Sequence, residues 1–284
     1  MRPIFSITSD YYQSTGDPLP YLRRIAEAGF THVHWCHHWF SDFLYSHHEI
    51  TQISHWMEEF GLAVLNIHAS AGQEKIWGDL REYIRLSGIE LVQNRIEMAA
   101  TLHSDTLILH VPYPPEGQET LDSEFAGQCF RSMDVLTAFA RARGVRIALE
   151  NMSGDNYLLL DAMLSRYSPE VLGFCFDCGH ANMGSNGLNE LEQRRERLIA
   201  VHLHDNDGKN DQHKIPFTGT IDWERLMRII AVSPYEAGIN LEVVIGESGF
   251  SDEAEFLKAS LKAGQKLFDM VVADINSFSV EEHS

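Results

Sequence analysis

Short runs rich in Val, Ile and Leu recur along the chain and alternate with longer stretches whose apolar positions return every three or four residues. The short runs fall at 4–8, 32–36, 63–68, 106–111, 146–150, 172–177, 200–204 and 239–244 and predict strands, while 80–102, 121–143 and 252–270 carry helical periodicity. Strands alternating with helices predict a parallel sheet with crossover connections, and eight such units predict closure into a (β/α)8 TIM barrel of the α/β class. Gly29, Gly61, Gly144, Gly173 and Gly238 stand near the starts of predicted strands, where a glycine can end the preceding helix. An open doubly wound sheet is the alternative, but the first strand runs into Ile7-Thr8-Ser9-Asp10 rather than a glycine-rich phosphate turn. A single barrel domain is expected over 1–276, with a loose tail at 277–284.

Composition narrows the setting. A chain of 284 residues, 44% hydrophobic, can bury one large core. It has no apolar run long enough to span a bilayer and no signal-peptide pattern at its start, and its four cysteines are too few for a disulfide framework. A cytoplasmic protein is expected. Cys175 and Cys178 form a C-x-x-C without a second pair, which predicts buried thiols, and Arg194, Arg195 and Arg197 are expected on a solvated helix face. With 22 basic and 41 acidic residues the net charge is −19, a field that repels phosphate backbones and disfavours nucleic acid as a partner.

The ends of the predicted strands carry the chemistry. In a (β/α)8 barrel the functional residues gather where strands end. Here the third strand ends at His68, the fourth at His110, the fifth at Glu150 and the sixth at Asp177 with His180 just beyond. The seventh places His202 and His204 on one face by two-residue alternation, and the eighth carries Glu242. One histidine or glutamate near a strand end is usually a satisfied hydrogen-bonding group; convergence from six consecutive strands points instead to a divalent metal site. A mixed carboxylate and imidazole set suits zinc, manganese, cobalt or iron, with zinc or manganese the first expectation.

Glu150-Asn151, the run from Gly173 through Asp177 to His180, and His202-Leu203-His204-Asp205 followed by Asp211-Gln212-His213 resemble the xylose isomerase-like barrel superfamily, which includes sugar phosphate isomerases, epimerases and endonuclease IV. The likeness implies that Glu150, Asp177, His202 and Glu242 hold one catalytic metal. Likeness to endonuclease IV implies up to two more ions, one at His68 and His110 beside Glu150 and one at His180, Asp211 and His213. The segment from His204 to Trp223 looks more like the isomerase and epimerase members.

By that likeness the expected activity is a metal-dependent isomerase or epimerase of a sugar, sugar phosphate or related polyol ketone. Glu150 and Glu242 would exchange the proton, and His180 would polarise a substrate hydroxyl. Trp35 and His37, set on one face by alternation and apart from His34, are candidate substrate contacts, together with His204, Lys209 and Lys214. The alternatives are an endonuclease IV-like phosphodiesterase acting on abasic DNA, for which the loops after the second and third strands offer few cations, and a sugar-binding barrel without activity. The expected partner is a small carbohydrate, with no membrane contact and with a homo-oligomer left open.

Overall fold

The computed structural model describes residues 3–154 and 157–281, with side chains to residue 275. Eight strands are present: β1 (Phe5–Thr8), β2 (His32–Trp35), β3 (Ala63–His68), β4 (Thr106–His110), β5 (Arg146–Glu150), β6 (Leu172–Asp177), β7 (Leu198–His202) and β8 (Ile239–Leu241). All neighbouring pairs run parallel in the order β7-β6-β5-β4-β3-β2-β1-β8. The remaining seam is closed by a bridge between Leu203 and Leu241, with the Leu203 amide donating to Asn240 O at 3.0 Å and the Glu242 amide to Leu203 O at 3.2 Å. The buried Asn240 side chain adds a bond to Val201 O at 3.0 Å. The result is a (β/α)8 TIM barrel.

Helices α1 (Leu19–Ala28), α2 (His47–Phe60), α3 (Glu82–Thr101), α4 (Glu124–Arg141), α5 (Leu158–Arg166), α6 (Cys178–Asn182), α7 (Leu188–Arg194), α8 (Trp223–Ala231) and α9 (Glu253–Glu281) connect or follow the strands. Local chemistry sets several of their ends. Ser46 and Glu49 form a capping box that starts α2, and the Ser123 and Asp222 side chains accept the amides of Ala126 and Arg225 to start α4 and α8. Gly29 and Gly61 end α1 and α2 in the left-handed region, at φ 99° and 65°, where a side chain would be strained. Gly173 has a different role from the helix stop expected of it. It lies inside β6, and a Cβ there would stand 2.6 Å from the Ile199 side chain on β7, so the glycine lets these strands approach.

The core has two layers. Ile108, Ala148, Cys175 and Ala200 fill the barrel interior, and a larger layer of Leu, Ile, Val, Met and Phe lies between sheet and helices. In α8, Leu226, Met227, Ile229 and Ile230 are buried, each contributing about 1.5–3 kcal/mol of transfer free energy. Helix α9 runs to residue 281, and the end of the expected loose tail, 282–284, lies outside the described residues. One expectation is corrected. Arg194 is buried between Asp161 and Glu190, and Arg197 donates to the carbonyls of Leu164, Tyr167 and Leu172, so neither belongs to a solvated face. All four cysteines are buried and free. Among the described residues no helix is long and apolar enough to cross a membrane.

Candidate metal centre and active site

Two-residue alternation stacks the interior in levels. On β4, β5, β6 and β7 the interior residues Ile108, Ala148, Cys175 and Ala200 lie two positions before His110, Glu150, Asp177 and His202, which therefore project inward one level higher, at the strands' C-terminal ends. Strand register adds lateral order, for His110 pairs with Glu150 and Asp177 with His202.

At the centre of this ring His202 Nδ1 lies 3.1 Å from Glu150 Oε1, 3.0 Å from Glu242 Oε2 and 3.7 Å from Asp177 Oδ2. Ligands at about 2.0–2.2 Å from a tetrahedral ion are separated by about 3.3–3.6 Å, so these spacings bracket what a first-row divalent metal requires. Glu150, Asp177 and His202 are almost fully buried, and three carboxylates in such a space need positive charge. The titration shifts express that need. Burial opposes ionisation of Glu150 and Glu242, yet His202 and the other nearby imidazoles hold both well below the usual carboxylate range. Burial likewise opposes a proton on His202, but the surrounding negative charge holds its affinity well above that of an ordinary histidine. A proton on His202 thus stands where a metal would supply charge. Glu150 Oε2 is buried without a hydrogen-bond partner, as befits an oxygen able to hold a cation. The donor set fits a transition-series ion.

Glu150 extends the arrangement. Its Oε2 lies 3.2 Å from His110 Nε2 and 3.5 Å from His68 Nε2, and the two imidazole nitrogens are 3.1 Å apart. His68 Nδ1 bonds the Ala69 carbonyl at 2.7 Å, which fixes the proton there and leaves Nε2 as a lone pair. A third group repeats this design. His180 Nδ1 donates to Asn151 O at 2.9 Å and His213 Nδ1 to Glu242 O at 2.8 Å, so both Nε2 atoms face Asp211 Oδ2, at 3.3 and 3.2 Å. All nine metal-ligand candidates are therefore brought together. The third group is joined pairwise through Asp211, whereas the donors of the first two meet within 4.8 Å of one another.

The candidate substrate contacts fare differently. Trp35 lies on the outer face of β2, wholly buried, with Nε1 donating to Tyr45 OH at 3.2 Å. His37 is buried and tied to Gly16 O at 2.9 Å. His204 stands behind Asp177, with Nε2 at 3.0 and 3.1 Å from its carboxylate oxygens and its ring stacked 4.0 Å from that of His213. It braces the Asp177 carboxylate. Lys209 is exposed and Lys214 half-buried, and among the described residues neither side chain pairs with the acidic cluster.

Sequence reasoning passed over His34. Its Nε2 lies 3.5 Å from Glu242 Oε1 and 2.8 Å from Cys36 Sγ, its Nδ1 bonds Asn66 Oδ1, and its ring centroid is 4.6 Å from that of His202. On β2 it is His34, and not Trp35, that shares the inner face with the cluster. Asn151 was noted only as a neighbour of Glu150. Its side-chain nitrogen donates to Asp177 O and its oxygen accepts the Asp177 amide, both at 2.9 Å, clamping the end of β6 to β5. Trp39 lies with its ring centroid 5.3 Å from that of His68 and 5.6 Å from that of His110, forming one wall over the second group.

A family model described as xylose isomerase-like TIM barrel matches residues 22–260. The uncharacterized protein y4fM of Sinorhizobium fredii is 34% identical over 271 residues, covering 85% of this chain and 87% of that protein. Fructoselysine 3-epimerase of Shigella flexneri is 22% identical over 170 residues, 57% of this chain and 61% of that enzyme. Among solved structures, a D-tagatose 3-epimerase-like protein superposes with a TM-score of 0.77 at 21% identity, covering 97% of this chain and 99% of that one.

Proposed function

Because the chain belongs to the xylose isomerase-like TIM barrel family, we propose that it is a divalent-metal-dependent isomerase or epimerase of a ketose or related polyol ketone. One observation carries the proposal: the carboxylates of Glu150, at the end of β5, and Glu242, just after β8, converge on His202 Nδ1 at 3.1 and 3.0 Å. A divalent ion in this donor set would act as a Lewis acid toward a hydroxy-ketone. Glu150 and Glu242, both held ionised, are then the bases available to remove a proton beside the carbonyl and return it from the other side. His34 positions Glu242 through Oε1, and His180, anchored on Asn151 O, is the residue proposed to bond a substrate hydroxyl. Trp39 offers an apolar face against which a sugar ring can lie.

The names of the relatives agree with this choice, one being a fructoselysine 3-epimerase and one a D-tagatose 3-epimerase-like protein. Electrostatics supports a neutral substrate. Among the described residues, the ion-pair partners of Glu150, Asp177, Asp211 and Glu242 are all histidines, with no lysine or arginine to meet a phosphate. The four free cysteines fit a reducing compartment, and we place the protein in the cytoplasm.

The test is exchange with solvent. In deuterium oxide the wild-type protein, loaded with zinc or manganese, should introduce deuterium at the carbon beside the carbonyl of a ketose it turns over. Glu150→Gln and Glu242→Gln should each lower that rate by about 100- to 10,000-fold. Metal occupancy has to be measured on the same samples, since each glutamate is also a ligand; full exchange by metal-loaded variants would defeat the mechanism.

A second activity is favoured by the groups around His68, His110 and Asp211: hydrolysis of a phosphodiester by several ions, as in an endonuclease IV-like enzyme on abasic DNA. Cleavage of an abasic oligonucleotide, with every ketose left unchanged, would replace the first proposal by this one.

A further inference from the structure

A cavity of about 240 Å³ lies on the outer side of β2, between the loop that leads into α1 and the helix α2, across the strand from the proposed metal ligands. Its lining is aromatic. Trp35, Tyr45 and His37 are buried there, the His38 and Phe43 rings stack 4.2 Å apart at 12°, and half-buried Trp56 joins them. The polar atoms of the deeper rings are already engaged, for Trp35 Nε1 donates to Tyr45 OH and Tyr45 OH donates to His37 O at 2.8 Å. The half-buried His38, Phe43 and Trp56 rings are therefore the aromatic surface open to the space. Two carboxylates, Asp17 and Glu49, share the lining with Gly16, Pro18, Gln52 and Ile53, and no lysine or arginine is among the lining residues.

We propose that this cavity binds a small organic cation carrying an ammonium group, at a site separate from the metal centre. Aromatic faces attract such cations through their quadrupole, and two carboxylates at the opening add long-range attraction. Two further observations agree. His37 donates Nε2–H to Gly16 O, and its Nδ1 is left without a partner although the residue is 2% exposed. His38 holds a left-handed backbone at φ 61°, uncommon outside glycine and a form of strain that recurs at ligand-binding positions. One feature opposes the cation: the buried Arg95 guanidinium lies 4.4 Å from the Tyr45 ring centroid. It places a positive charge behind the box, so the carboxylates in front must decide the sign.

Charge selectivity is accordingly the measurement. Choline and its neutral isostere 3,3-dimethyl-1-butanol fill the same volume, and each is titrated into the full chain by calorimetry with tryptophan fluorescence in parallel. Choline should bind saturably and at least about fivefold more tightly than the alcohol. Glu49→Gln keeps a side chain able to bond the Ser46 amide in the capping box, so it removes charge without removing the cap. Glu49→Gln and Asp17→Asn should each weaken choline about twofold to tenfold and leave the alcohol unchanged. Equal binding of the two probes, no saturable binding of choline, or unchanged choline affinity in both variants would each overturn the proposal. Metal affinity should be the same in wild type and variants, which keeps this result independent of the metal site.

Discussion

Replacing Gly179 by alanine tests the proposed support of the metal site through one added methyl group. Gly179 has no left-handed backbone requirement, so alanine suits its conformation, but the new Cβ would stand 2.6 Å from His204 Nδ1 and 2.7 Å from its Nε2. Ordinary contact is about 3.5 Å, and the ring carbon Cε1 would lie nearer than either nitrogen, so the ring must retreat by roughly 1.5 Å. It has little room, being fully buried and stacked 4.0 Å from His213. A shift of that size also carries the bonds of 3.0 and 3.1 Å from His204 to Asp177 past the limit of hydrogen bonding. Overpacking of this kind costs about 1–3 kcal/mol, and in a chain of this size each kcal/mol lowers Tm by about 2–4 °C. Losing the support behind a ligand typically costs about 10- to 100-fold in metal affinity. Both are measurable on chelator-stripped protein, by thermal unfolding and by competition with a chromophoric chelator well below the melting temperature. Gly127→Ala is the control: it lies on exposed helix surface with nothing within 4 Å, and should be neutral or stabilising by up to about 1 kcal/mol. If Gly179→Ala bound metal as tightly as wild type, Asp177 would not depend on His204.

Three other outcomes are expected. The raised affinity of His202 for its proton stabilises metal-free protein below the ordinary histidine pKa of about 6.5 and is lost as pH rises through the folded-state value. The lowered pKa values of Glu150 and Glu242 contribute above about 4.3 and are lost on acidification, so metal, which displaces the His202 proton, should raise Tm more at pH 8 than at pH 6; a pH-independent shift would refute the competition. Asp205→Ala removes the acceptor of Trp223 Nε1 at 2.9 Å and of the Asn206 amide at 3.0 Å in a fully buried place, and should cost about 2–5 kcal/mol; a melting temperature within 1–2 °C of wild type, roughly the scale of half a kcal/mol, would show the donors find other partners. His110→Asn should leave metal at Glu150, Asp177, His202 and Glu242 while removing any ion held with His68, as elemental analysis would show; loss of all metal would mean the two groups do not fill separately.

The barrel was legible in the sequence because the strands are short and mostly apolar, and β3 to β7 each end in a histidine or a carboxylate. β3, β5 and β6 match the expected limits, while β7 starts and ends two residues earlier than expected and β8 ends three residues earlier than expected. Those shifts follow the closing seam, where Leu203 and Leu241 meet as an isolated bridge, so ladder hydrogen bonds stop while side-chain alternation continues. Alternation is why the ligand candidates could be seen. The same rule misled at β2, because alternation separates two faces without saying which is inner, and attention went to Trp35 and His37 instead of His34. Periodicity also cannot tell a ligand from its prop: His202 and His204 share one face, yet one lies among three carboxylates and the other behind Asp177.

The two readings of function meet in the two oxygens of Glu150. Oε1 faces His202 at 3.1 Å, and Oε2 faces His110 at 3.2 Å and His68 at 3.5 Å. A proton-transfer base needs a free lone pair at the moment of reaction, whereas a carboxylate that bridges two ions has committed both oxygens. Filling the His68 and His110 group would therefore draw Glu150 away from proton transfer and towards the role of a metal bridge. In that event Glu242, whose Oε1 meets His34 and the Cys36 thiol, would be the carboxylate left to serve as base. If the proposed metal dependence holds, the number of ions bound in solution would be a variable of the mechanism, selecting between proton exchange at carbon and attack on phosphorus through the same nine side chains.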